Sequence, residues 1–96
     1  MPTYLVEVYM PRSHAQKAGA AGARARAAAA GLSREGVAVR YVRTMFLPDD
    51  ETCFHLFEAR SAGSVEEVCR QAGLGRVRIV PAIEATTGTN GDQSQA

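Results

Sequence analysis

VAVRYVRTMFLPDDETCFHLFEA, residues 37–59, holds two strand-forming runs on either side of a turn signal. Val37 to Leu47 and Thr52 to Ala59 are rich in Val, Tyr, Thr and Phe, the residue types that suit a pleated, half-buried surface. Between them, Pro48-Asp49-Asp50 presets a reversal, because Pro fixes φ and Asp bonds its own backbone. The stretch therefore predicts an antiparallel hairpin at the centre of the chain.

A helix pattern flanks this hairpin on each side. Upstream, Ser13 precedes Gln16 by three residues, the spacing of a capping box. An alanine-rich run follows to Gly31, which is placed as a C-cap. Gly19 and Gly22 each cost ~1 kcal/mol against Ala inside a helix. With Ala15, Ala18, Ala25 and Ala29 they predict a thin helix face that sits close on a sheet. Downstream, Ser64 and Glu67 repeat the capping box, and a shorter helix ends at Gly73. Outside the helices, Thr3 to Met10 and Val77 to Ala85 read as the first and last strands. The order is βαββαβ. Right-handed crossovers fold that order into a ferredoxin-like α+β sandwich, a four-stranded antiparallel sheet with both helices on one face. The first and third strands are central, with the fourth beside the first and the second beside the third. The domain covers residues 1–85, and TTGTNGDQSQA, residues 86–96, has no core-forming side chain and is expected to be a disordered tail.

Composition narrows the function classes. Charged residues make up 22% and hydrophobic ones 46% of 96 residues, as in an ordinary soluble domain. The net charge is +1, divided as +5 over residues 1–43 and −4 over the rest. No apolar run approaches the ~20 residues of a membrane span, and no signal-peptide pattern opens the chain. Cys53 and Cys69 are too few for a disulfide framework, so a cytoplasmic location is the expectation. RNA-recognition domains share the strand order, but TCFHLFEA lacks their glycine and basic lead, and its carboxylate repels phosphate. Nucleic acid is not the expected partner. The first loop, MPRSHA, has no Cys, unlike the CxxC loop of soft-metal chaperones of this topology. No phosphate-cradling loop, nucleophile elbow or HExxH is present.

Three glutamates interrupt the predicted strands: Glu7, Glu58 and Glu84. A carboxylate in a strand is costly unless it meets water, a partner or a cation. Alternation sends Leu5, Glu7 and Tyr9 to one face, and Tyr4, Val6 and Val8 to the other. On the third strand, Phe54, Leu56 and Glu58 share the open face when Cys53, His55, Phe57 and Ala59 face the helices. Pairing of these strands predicts Glu7 and Glu58 within about 5–8 Å of each other. Two such carboxylates need a cation, a shared proton, or an arginine, for which Arg40, Arg43 and Arg78 are at hand. The apolar residues of the open face, Leu5, Tyr9, Phe54, Leu56 and Val80, predict a homodimer packed through its sheets. His14 falls in the first turn of the first helix, exposed. His55 reads as a hydrogen-bonded core residue, with a ligand or general base as the alternative. Imidazole with carboxylates suits a divalent transition metal without selecting one.

MPTYLVEVYMP, VAVRYVRTMF, TCFHLFEA and the AGL-x-x-x-R-I-V run after the second helix resemble a family of small nickel-binding proteins, formerly a domain of unknown function. The resemblance covers residues 1–85 in order and length. It implies a ferredoxin-like dimer that binds Ni²⁺ or another divalent ion in storage, sequestration or sensing. By position, Glu7 and Glu58 match the family's strand glutamates, and Tyr41 stands where Trp is common. Arg43 replaces a common His, His55 stands at a position more often Cys, and Arg60 replaces a Pro. The expected metal set is Glu7, Glu58, His55 and His14. The alternative is a small dimeric enzyme, an oxygenase, cyclase or isomerase without a cofactor. There an apolar substrate would lie between sheet and helix, with His55 as acid/base and Tyr41 orienting it.

Overall fold

The structure, a computed structural model, describes residues 1–85; the expected tail lies outside the described residues. Strand β1 spans Thr3–Tyr9, α1 Ala18–Arg34, β2 Val39–Leu47, β3 Thr52–Ala59, α2 Ala62–Ala72 and β4 Arg78–Ala82, with a 3₁₀ segment at Arg12–Lys17 before α1. The sheet order is β2-β3-β1-β4 and every pairing is antiparallel. This is the ferredoxin-like α+β sandwich the strand pattern predicts. No helix among the described residues is long and apolar enough to cross a membrane.

Small residues let α1 lie close on the sheet. Ala21, Gly22, Ala25 and Ala29 are its buried positions, together with Leu32. Val6, Phe57, Val65 and Val68 are fully buried at the centre of the core. Of the expected thin face, Ala15 is exposed and Gly19 meets nothing within 4 Å, so the contact begins one turn later than the sequence suggests. Arg24 Nε donates to the carbonyl of Ala72 at 2.9 Å and ties α1 to the end of α2.

Helix ends depart from the capping-box reading. Ser13 makes no cap bond, and His14 has non-helical angles (φ −104°, ψ 18°) that kink the chain before α1. The N–H of Arg12 is met from across the fold by the Glu51 carboxylate, at 2.9 Å. A long-range acceptor has replaced the local one. Gly31 stays helical, and α1 runs on to Arg34 because Gly36, with φ +94°, supplies the left-handed turn. The N–H of Val37 then reaches back to the carbonyl of Leu32 at 3.0 Å, closing a Schellman-type end. In α2 the cap is Ser61, which accepts from the N–H of Ser64, and Gly73 ends the helix at φ +65° as expected.

One irregularity positions the interior. The register of β2 on β3 shifts between Tyr41 and Arg43, leaving Val42 without a direct partner. Tyr41 and Thr44 are an odd number of residues apart, and regular alternation would separate them. The bulge sends both toward the helices.

Candidate functional site

The open face of the sheet carries two acid–base pairs. Arg78 lies opposite Glu7 on β4, and its Nη1 donates to Glu7 Oε2 at 3.0 Å. Arg40 lies opposite Glu58 on β2, and its Nε and Nη2 both donate to Glu58 Oε1, at 3.1 and 2.8 Å. Of the three arginines available to hold the acids, these two do so. The arginine side chains are 70% and 60% exposed, so both pairs exchange freely with water or another partner. Burial of the acids' faces is partial, and each borders a hollow. That beside Glu7 holds about 620 Å³, with Tyr9, Leu74 and Arg76 on its wall. That beside Glu58 holds about 370 Å³, with Arg43, Leu56 and Glu84.

The expected closeness of Glu7 and Glu58 is corrected by the register. Glu7 pairs with Phe54, and Glu58 with Thr3. The two carboxylates are therefore four pairs apart, about 13 Å along the strands at ~3.3 Å per residue. Alternation fixed their shared face but not their register, because β1 and β3 are joined through α1 and β2 and by no tight turn. His14 is exposed, beyond the end of β1 that carries Glu7. His55 is 1% exposed, on the face opposite both glutamates. One protomer thus does not bring Glu7, Glu58, His55 and His14 together, and no three His, Cys, Asp or Glu residues cluster for a metal among the described residues. Glu84 is exposed just past β4.

Beneath the sheet a second polar set is buried against α1. His55 Nδ1 lies 2.7 Å from Thr44 Oγ1, which lies 2.6 Å from Tyr41 Oη. On the other side of the ring, Nε2 lies 3.8 Å from Cys53 Sγ. Burial holds the imidazole below its ordinary pKa, and the positive charge of Arg24 adds to the effect, so His55 is neutral at pH 7. Burial raises the Cys53 thiol. Burial, with the charge of Glu66, pushes Cys69 up to about 11. Both cysteines are free and buried, protonated at neutral pH, and poor nucleophiles. The core reading of His55 holds, and its ring is not open to direct contact with a substrate. Sequence reasoning named Tyr41 and His55 and put Gly22 on the thin helix face, but missed Thr44. A Cβ at Gly22 would stand 2.6 Å from Thr44 Oγ1 and 3.1 Å from Tyr41 Oη, so glycine is what admits the hydroxyls. The bulge that aims Thr44 leaves no signal in residue types.

A ferredoxin-like sheet with an uncovered, carboxylate-bearing face places the chain in a fold class that hosts many functions and names no one reaction. Residues 4–81 match the family described as "Nickel responsive protein SCO4226-like", and the chain belongs to that family. No curated protein matches the chain, and no solved structure does.

Proposed function

We propose that this protein binds a divalent transition metal, nickel above others, as a homodimer joined through its open sheet faces, in metal storage, sequestration or sensing. Membership of a nickel-responsive family is the observation that carries the proposal. Since one protomer separates the candidate donors, the site is completed between two. Leu5 and Leu56 pair directly, midway between Glu7 and Glu58. A two-fold axis lying in the interface and crossing the strands at that pair sets Glu7 of each protomer toward Glu58 of the partner subunit. Self-complementary contacts of this kind are what a two-fold interface requires. The apolar residues around the axis, Leu5, Phe54, Leu56 and Val80, are half-buried in the single chain and supply the contact. His14, at the Glu7 end, is the imidazole placed to join such a site. A bound cation competes with Arg78 and Arg40 for the two carboxylates, and those exposed pairs are each worth only ~0–1 kcal/mol.

Calorimetry with untagged protein and nickel chloride tests this. Binding tighter than millimolar is expected, weakened at least tenfold by Glu7→Ala. Absence of such binding, or an unchanged affinity in Glu7→Ala, overturns the proposal.

A further inference from the structure

The buried hydroxyl chain ends in a cleft that the nickel reading does not use. Between α1 and β2 lies a hollow of about 310 Å³, bordered by Gly19, Gly22, Arg26, Tyr41, Arg43 and Thr44. Arg26 stacks over the Tyr41 ring, its guanidinium carbon 5.5 Å from the ring centroid. Neither Arg26 nor Arg43 has a carboxylate at ion-pair distance among the described residues. The Arg26 guanidinium beside two hydroxyls disfavours a cation and favours an anion that accepts hydrogen bonds.

We infer that the α1–β2 cleft is a binding site for a small oxyanion, a carboxylate or phosphate group held by Arg26 with Tyr41 Oη donating from its floor, and that occupancy is relayed to His55 as a change of ring tautomer. The relay follows from the donor count. Each hydroxyl in the chain can turn either way, but not independently. When Tyr41 Oη donates to an anion, it accepts from Thr44 Oγ1–H. Thr44 Oγ1 then accepts from His55 Nδ1–H, and Nε2 accepts from the Cys53 thiol. In the reverse direction, Nε2–H donates to Cys53 Sγ, and Nδ1 accepts from Thr44, which accepts from Tyr41. The two directions hold the same protons and the same charge. One proton moves between the ring nitrogens by exchange with water during local opening of the core, while the two hydroxyls and the thiol turn. Cys53, able to donate or accept, satisfies the buried end in both.

The experiment is a titration of untagged, metal-free protein carrying ¹⁵N-histidine and ¹⁵N-arginine, observed by NMR above pH 7. Sodium phosphate and sodium acetate are added in separate arms, with sodium chloride as the ionic-strength control. Either anion is expected to move His55 Nδ1 toward the protonated-nitrogen shift and Nε2 toward the bare-nitrogen shift. The change saturates in the millimolar range, and the arm that saturates first names the class. Gly19 has open space around it, so Gly19→Leu fills the cleft with the helix intact and is expected to abolish the response. Tyr41→Phe keeps Arg26 but cuts the relay, and is expected to abolish the tautomer change while anion-dependent shifts of the Arg26 side chain persist. No saturable change with either anion, a chloride response of equal size, or an undiminished response in Gly19→Leu overturns the inference. Because nickel is absent throughout, the outcome is independent of the metal proposal.

Discussion

On β3, His55 and Glu58 lie three residues apart and meet opposite surroundings. His55 is sealed under α1, neutral, with both ring nitrogens engaged by a hydroxyl and a thiol. Glu58 is on the uncovered face, charged, and held by an arginine that is mostly in water. The covered face pairs each polar atom with a neutral partner, because an unpaired buried charge there costs several kcal/mol. The open face tolerates charge, because water and arginine are both at hand. A chain of neutral hydrogen bonds suits the first face and an exchangeable ion suits the second.

The largest contrast expected is between adjacent residues on the two faces. Phe57 is fully buried and packs edge-on against Tyr41, with ring centroids 5.8 Å apart. Phe57→Ala is expected to cost about 3–5 kcal/mol in urea unfolding. Its neighbour Leu56 faces outward, and Leu56→Asp is expected to leave the protomer folded while light scattering reports loss of the proposed dimer. A severe loss of protomer stability in Leu56→Asp would break the contrast between faces.

A smaller contrast lies within α1. Gly22→Ala drives a methyl into Thr44 and is expected to destabilise by about 1–3 kcal/mol. Gly19→Ala meets nothing and is expected to stabilise by up to ~1 kcal/mol. Adding Thr44→Ala to Gly22→Ala should recover part of the loss, since the clash is with that side chain. Equal effects at the two glycines would show that Gly22 is not pressed against the hydroxyls.

The pH dependence comes next. The folded-state pKa of His55 is depressed from its ordinary 6.5, so below that value the unfolded chain takes up a proton that the folded chain resists. Stability is full above pH 6.5 and declines as pH falls from there toward the lowered folded-state value. His55→Gln, which keeps polar contacts without titrating, is expected to flatten that slope of the urea midpoint. The smallest effect is expected at the open face. Arg78→Ala and Arg40→Ala should each change stability by less than ~1 kcal/mol, while freeing a carboxylate for a metal.

Much of this was legible from residue types. The two runs around Pro48, the flanking helix patterns and the terminal strands predict the sheet and its strand order. Alternation places Glu7 and Glu58 on the open face and His55 beneath it. Three features were not legible, each for a physical reason. Between β1 and β3, which no turn joins, register is set by how the crossover helix packs, and the four-pair offset of Glu7 from Glu58 carries no mark in composition. The bulge at Val42 is set by tertiary packing, so the shared orientation of Tyr41 and Thr44 is hidden. The 3₁₀ segment before α1 is met at Arg12 by Glu51 from another part of the chain, and a local capping rule does not see it.

Sedimentation equilibrium of the untagged protein, with and without nickel, tests the shared-site account most directly. If the metal is held between Glu7 and Glu58 of the partner subunit, nickel must tighten self-association, by the same linkage through which dimer formation raises nickel affinity. The account predicts a dimer at micromolar concentration, at least tenfold tighter with nickel, and loss of that nickel dependence in Glu58→Ala. A monomer under both conditions, or a dimer whose association ignores nickel, would contradict it.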